Sequence, residues 1–98
     1  MNTIYLSGPI TGHRFFRIKF ALAELRLKSE GYNVINPARI NAKLPKSTTY
    51  TQYMNISIEL LKMASVIYML KGWKKSNGAN IEYNYALSNK IKILMEIN

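Results

Sequence analysis

The 98-residue chain contains no cysteine and no aspartate. Without cysteine it has no disulfide, no thiolate metal ligand and no cysteine nucleophile. Without aspartate, its side-chain carboxylates are five glutamates: Glu24, Glu30, Glu59, Glu82 and Glu96. The single histidine, His13, cannot form a histidine cluster within one chain. We therefore expect no metal and no bound cofactor, and any catalytic carboxylate must be one of the five glutamates.

Long apolar runs are also missing, because no stretch approaches the roughly 20 residues that cross a bilayer. A strand-like segment starts almost at Met1, which leaves no room for a signal peptide. We therefore expect a cytoplasmic protein with no membrane partner. A chain of this length forms a single domain, residues 1–98, and buries only about two-thirds of its unfolded surface. A homodimer or higher homo-oligomer is expected to supplement this small core.

Positive charge is in excess, with 14 Lys and Arg residues against 5 acidic ones and a net charge of +9. Such a surplus favours an anionic partner: a nucleotide, a nucleic acid or an anionic membrane. The charge is spread out, since residues 1–50 carry 8 basic and 2 acidic residues and residues 51–98 carry 6 and 3. No helix-turn-helix or RNA-recognition signature accompanies it, which makes a nucleic acid the weaker alternative.

Hydrophobic periodicity predicts alternating strands and helices. The predicted strands are 3–7, 32–36, 66–70 and 90–95, the helices are 13–30, 48–64 and 79–89, and 38–47 and 71–78 are loops. In the first helix, Phe16, Phe20, Ala23 and Leu27 form an inner stripe that Phe15, Ile18, Leu22 and Leu25 are expected to broaden. This order predicts an α/β fold: a Rossmann-like (flavodoxin-like) three-layer domain. Its short parallel sheet has four or five strands, with helices on both faces. Ligands of such sheets bind beyond the carboxyl ends of the strands.

The first candidate loop at that edge is Ser7-Gly8-Pro9-Ile10-Thr11-Gly12, which runs from a strand into a helix. Its glycines and hydroxyls suit an anion, because exposed N–H groups and the helix dipole would point at it. The segment matches neither a Walker A motif nor GxGxxG. A tight turn that needs glycine for backbone reasons alone is an equal alternative.

The second candidate is the segment from Ser76 to Glu82, which enters the third predicted helix. An acid near a helix N-terminus is commonplace and mildly stabilising. Two observations favour a functional role for Glu82. Ile81, Tyr85 and Ala86 indicate a packed helix, which would place Glu82, in the first turn or so, near the cleft. Glu82 is also the only acid between Lys62 and Lys92.

Two aromatic residues are further candidates. Tyr5, central in the first strand, is either a core aromatic or directs its hydroxyl to the strand ends. Trp73, in the third loop, is either a wall that stacks on a base or a hydrophobic plug beneath the loop.

Four segments together resemble the nucleoside 2-deoxyribosyltransferase superfamily, in order and over nearly the whole chain. They are Ile4–Gly12, Asn36-Pro37, Ile67–Trp73 and Ser76-x-Gly78-Ala79-x-x-Glu82. The chain looks like small members from bacterial and phage genomes, related to 2′-deoxynucleoside 5′-monophosphate N-glycosidases. The resemblance implies cleavage of the glycosidic bond of a (deoxy)nucleoside 5′-monophosphate through a covalent intermediate on Glu82, which water or another base resolves. Tyr5 would orient this nucleophile.

The resemblance also implies a set of substrate-binding residues. They are Ser7, Gly8, Pro9, Ile10, Gly12, Asn36, Pro37, Ser57, Trp73, Ser76, Gly78 and Ala79. Ser76 stands where the free-nucleoside transferases carry an aspartate that would repel a phosphate. A hydroxyl there, beside a helix start, can donate to a phosphate. With the net charge of +9, this favours a 5′-monophosphate ligand.

The chain departs from the superfamily on its second helix. The superfamily places an aspartate there, and the aligned residue is Ser57. Glu59 is a poor substitute, because two residues further on a helix it points about 160° away. A second aspartate of the superfamily appears here as Ser65. Two alternatives therefore stay open: a non-catalytic nucleotide-binding module of the same fold, and a basic nucleic-acid-binding protein.

Overall fold

The computed structural model describes residues 2–97. The strands are β1 (Thr3–Ser7), β2 (Asn33–Ile35), β3 (Val66–Met69) and β4 (Lys92–Met95). The helices are α1 (Phe16–Ser29), α2 (Pro37–Asn41), α3 (Tyr50–Leu61) and α4 (Asn77–Ser88), and a 3-10 turn spans Trp73–Lys75. Within these residues, no helix combines the length and apolar character needed to cross a bilayer.

The four strands form one parallel sheet in the order β2-β1-β3-β4. This order matches the first four strands of the flavodoxin-like arrangement, which confirms the predicted fold. The direction of sheet growth reverses between β1 and β3, where Tyr5 pairs with Ile67 and Ser7 with Met69. In folds of this type, ligands bind at the carboxyl ends of the two strands that flank such a reversal.

Helices cover both faces of the sheet, as predicted. Because side chains alternate along a strand, Ile4 and Leu6 of β1 pack on one face with Phe20 of α1. Tyr5 packs on the other face with Leu61 of α3 and Ala86 of α4. Residues 66–70 are fully apolar and buried, as expected for a central strand covered on both sides.

One prediction for α1 is wrong. Phe20, Ala23 and Leu27 are buried as expected, but the residues meant to broaden their stripe are each more than half exposed. These are Phe15, Ile18, Leu22 and Leu25. At about 100° per residue, the centre of this exposed group lies about 150° from the centre of the buried stripe. Helix α1 therefore has two apolar faces, one on the sheet and one in solvent.

The predicted loop 38–47 begins with a short helix instead. Asn36 caps α2, since its side chain accepts a hydrogen bond from the backbone N–H of Arg39 at 3.2 Å. Pro37 occupies the first turn, where its fixed φ and missing N–H suit a helix start. Pro37 is therefore the first residue of α2 and not only a break after β2.

The two later helices begin with side-chain caps. Thr49 forms a capping box with Gln52 at the start of α3. Ser76 caps α4 by accepting a hydrogen bond from the backbone N–H of Ala79 at 3.2 Å. Helix α4 starts two residues earlier than predicted, which places Glu82 in its second turn rather than its first.

Candidate active site

The end of β1 and the second turn of α4 bring Tyr5, Ser7 and Glu82 together. Tyr5 and Ser7 are two residues apart on a strand, so both side chains project from the face that α4 covers. The hydroxyl of Tyr5 donates to Oε2 of Glu82, and the hydroxyl of Ser7 donates to Oε1 at 2.6 Å. All three side chains are buried. The two donors fix the direction of both carboxylate oxygens.

Burial sets the electrostatics of this cluster. It raises the pKa of the Glu82 carboxyl from its usual 4.5 to about 7, because the charged form loses water. The hydrogen bonds from Ser7 and Tyr5 act in the opposite direction and lower that pKa. Burial and the adjacent Glu82 charge also raise the pKa of Tyr5 well above 10, which keeps Tyr5 a hydrogen-bond donor. A carboxyl that titrates near neutral pH in a cleft is typical of functional sites.

A cavity of about 270 Å³ opens beside Glu82 at the carboxyl edge of the sheet. Nine of the predicted site residues lie on its wall, and they come from four separate parts of the chain. These are Tyr5, Gly8, Ile10, Pro37, Ser57, Ser76, Gly78, Ala79 and Glu82. The fold thus assembles one cleft from residues that are up to 77 positions apart.

The other predicted site residues do not line the cavity. Ser7 contacts Glu82, as described. Asn36 caps α2 and donates from Nδ2 to the buried Glu24 at 3.0 Å. Trp73 stacks on Tyr83 at 4.6 Å between ring centroids and packs on the core. This position fits the hydrophobic-plug alternative for Trp73 rather than a base-stacking wall. Pro9 and Gly12 belong to the first loop without lining the cavity.

Backbone requirements account for the glycines of the first loop. A Cβ atom on Gly8 would lie 2.8 Å from Cβ of Leu70, closer than real Cβ contacts allow. Gly12 has a φ of +77°, in the left-handed region that favours glycine. The tight-turn alternative therefore explains both residues, and Gly8 additionally forms part of the cavity wall.

The start of α4 supplies the polar end of the cavity. The Ser76 oxygen already accepts a hydrogen bond from Ala79, so its hydroxyl proton is free to donate to a ligand. Gly78 lets α4 approach α3 closely, since a Cβ there would be 3.2 Å from Sδ of Met54.

Several polar residues of the wall, Arg17 and Asn41 among them, were not predicted from the sequence. Arg17, from α1, is the one cation among the described residues that line the cavity. It precedes the buried Phe20 of α1 by three residues and so borders the inner stripe of that helix. Asn41, from α2, was placed in a loop, and its Oδ1 is buried without a hydrogen-bond partner. Within residues 2–97, no three His, Asp or Glu side chains come close enough to hold a metal ion.

Comparisons with known proteins agree with this architecture. A family model described as "Domain of unknown function (DUF4406)" matches residues 2–95. The chain belongs to this family. A solved structure of the 2-deoxyribosyltransferase from the psychrotolerant bacterium Bacillus psychrosaccharolyticus, characterised as a biocatalyst for nucleoside synthesis, has a similar fold. The TM-score is 0.75 at 17% identity, over 98% of the DUF4406 chain and 76% of the transferase. No curated protein matches the DUF4406 chain in sequence.

Proposed function

We propose that this protein cleaves the N-glycosidic bond of a (deoxy)nucleoside 5′-monophosphate, with Glu82 as the nucleophile. The observation that carries the proposal is the buried Glu82 carboxyl, held by Tyr5 and Ser7, at the wall of the cavity. The deoxyribosyltransferase fold, the chain's sequence resemblance to that superfamily and the position of the cavity at the strand reversal support it.

The reaction takes place in two displacements. An oxygen of ionised Glu82 attacks C1′ of the sugar, the C1′–N bond breaks, and its electron pair leaves with the base, which takes up a proton. Water then attacks C1′ of the glycosyl ester and releases a proton to solvent, the bond between C1′ and the Glu82 oxygen breaks, and the carboxylate is restored. A second base in place of water would make the reaction a transfer.

Tyr5 and Ser7 act as positioning residues in this scheme. Each holds one oxygen of Glu82, so the attacking atom keeps a fixed direction relative to the cavity. Orientation of this kind removes part of the entropic cost of reaching the transition state.

Three features of the wall support a phosphate on the substrate. Arg17 brings a guanidinium, Ser76 brings a hydroxyl with a free proton, and α4 directs its N-terminus towards the same cavity. Guanidinium, hydroxyl and helix N-terminus are all groups that bind phosphates. The substrate is therefore a 5′-monophosphate rather than a free nucleoside.

The test is base release from a panel of 2′-deoxynucleosides, ribonucleosides and their 5′-monophosphates, separated by chromatography. We expect release from monophosphates, and a loss of about a hundredfold or more in Glu82→Gln. Arg17→Gln should raise KM for monophosphates and leave values for free nucleosides unchanged. No base release from any compound, or equal base release by wild type and Glu82→Gln, would refute the proposal.

A non-catalytic nucleotide-binding module is the second candidate, and one observation favours it. Ser57 of α3 lies on the cavity wall where the resemblance places an aspartate, so Glu82 is the only acid on the wall within the described residues. A second carboxyl to protonate the leaving base is thus absent from that wall. This candidate predicts that a nucleotide raises the melting temperature with no base released. A homodimer and a cytoplasmic location stay proposals; light scattering tests the dimer.

A further inference from the structure

Helix α1 carries an apolar face that no other part of residues 2–97 covers. This face, here named the outer seam, comprises the N-cap residue Phe15 and the helical residues Ile18, Leu22 and Leu25, which are 57, 56, 59 and 65% exposed. Single exposed apolar residues are normal on protein surfaces, but four in succession on one helix face are not. The buried stripe of α1 already packs on the sheet, so the outer seam has no role in the core.

The spacing of the outer seam is that of a coiled-coil contact. Its residues follow one another at intervals of three, four and three, which are the a and d positions of consecutive heptads. On a helical wheel Ile18, Leu22 and Leu25 span about 60°, and along the axis about 10 Å, with Phe15 preceding them at the N-cap. A strict a and d stripe is narrower than the face of about 100° or more with which a helix covers a broad apolar surface. The geometry therefore fits a second helix.

The margins of the outer seam are basic. Lys19 and Arg26 border one side, and Arg14 and Lys28 border the other. Arg14 extends over the ring of Phe15, with the guanidinium carbon 5.6 Å from the ring centroid. Of the two nearby acids, Glu24 is buried on the opposite side of the helix, and Glu30 is exposed at the C-cap beyond Arg26.

Two of these cations are already compensated. Nη2 of Arg26 lies 3.6 Å from Oε2 of Glu96, and Nζ of Lys28 lies 2.7 Å from Oε2 of Glu24. Arg14 and Lys19 form no ion pair with any described residue. Each margin thus keeps one uncompensated positive charge beside the apolar residues.

We propose that the outer seam of α1 binds an acidic amphipathic helix of a partner protein, with apolar residues at heptad spacing between Glu or Asp margins. Charges at the margins of such a contact decide which helices pair. Two copies of α1 packed antiparallel would bring Lys19 near Arg26 and Arg14 near Lys28, so each margin would face like charge. An acidic helix places a carboxylate at each of those positions.

Two synthetic peptides test the proposal. Both have about three heptads with Leu at the a and d positions. One has Glu at the e and g positions and the other has Lys, and repulsion between like charges keeps each peptide unpaired. Fluorescence anisotropy of the labelled peptides against the full chain should show that the Glu peptide binds at least about tenfold more tightly than the Lys peptide. This preference should weaken as salt is added.

Variants on and off the seam sharpen the result. Leu22→Glu should weaken binding of the Glu peptide at least tenfold, whereas Met63→Glu, at a residue 69% exposed outside α1, should leave it unchanged. Lys19→Glu should weaken binding of the Glu peptide and strengthen binding of the Lys peptide. A merely structural role of Lys19 would not produce this exchange of preference. Thermal unfolding confirms that each variant is folded.

Four outcomes would overturn the proposal. They are no binding of the Glu peptide, equal binding of both peptides, a homodimer that Leu22→Glu dissociates, and binding only to phosphatidylglycerol vesicles that Leu22→Glu abolishes. The third would assign the outer seam to a second copy of this chain, and the fourth to a membrane surface.

Discussion

Replacing Glu82 by Gln should change how the stability of the protein depends on pH. In the folded state the pKa of Glu82 is about 7, against 4.5 for an ordinary glutamate. Below pH 4.5 both the folded and the unfolded state hold this proton. Between pH 4.5 and 7 the unfolded chain releases it while the folded protein keeps it, so the free energy of unfolding falls as pH rises. The full loss, reached above pH 7, is about 3 kcal/mol.

A glutamine at this position does not titrate, so Glu82→Gln does not lose this unfolding free energy as pH rises. Urea unfolding of wild type and Glu82→Gln at pH 4 and pH 8 measures the effect. The difference in unfolding free energy between the two proteins should move in favour of Glu82→Gln by about 3 kcal/mol from the lower to the higher pH. Groups that titrate in both proteins, such as Glu24, cancel in this comparison.

Glu59→Gln is the matched control, because Glu59 is an exposed acid that pairs only with Lys62. Its stability difference from wild type should stay within about 0.5 kcal/mol at both pH values. If wild type and Glu82→Gln keep the same difference at pH 4 and pH 8, burial does not raise the pKa of Glu82 and the electrostatic argument fails.

Three further changes test the site and the fold. Base release by wild type should rise through pH 7 as Glu82 ionises. Tyr5→Phe removes a hydrogen-bond donor to the charged form of Glu82, so it should move this rise to higher pH. An unchanged midpoint would contradict the role of Tyr5. Gly8→Ala should cost about 1–3 kcal/mol in urea unfolding, because the new Cβ meets Leu70; wild-type stability would refute the close contact. Thr49→Ala loses the capping box of α3 and should cost about 1 kcal/mol in the same assay, whereas no change would show that the cap contributes nothing.

The parallel sheet was predictable because its signals are local and agree with one another. The apolar run at residues 66–70 and the strand–helix alternation around it both require a strand covered on two faces. The outer seam of α1 was not predictable in this way. Apolar residues at heptad spacing look the same in sequence whether they face the sheet or solvent, and only the packing of Phe20 and Leu27 decides between the two.

The candidate site also has residues that could be predicted from the sequence and residues that could not. Glu82 and Tyr5 were found because a lone acid at a helix start and a tyrosine in a strand stand out in the chain, and the resemblance joined them. Arg17 and Asn41 were missed because their place on the wall depends on how α1 and α2 lie over the end of the sheet. Trp73 is the opposite case. A tryptophan in a loop suggests contact with a ligand, whereas Trp73 stacks on Tyr83.

If Glu82 attacks C1′, turnover passes through a sugar bonded covalently to Glu82, and this intermediate can be trapped. The protein is mixed with a 2′-deoxynucleoside 5′-monophosphate that releases its base, quenched in acid during turnover, digested and examined by mass spectrometry. The wild-type peptide that contains Glu82 should carry a deoxyribose phosphate, and Glu82→Gln should show neither adduct nor base release. Base release at the wild-type rate by Glu82→Gln, with the peptide unmodified in both proteins, would contradict attack by Glu82.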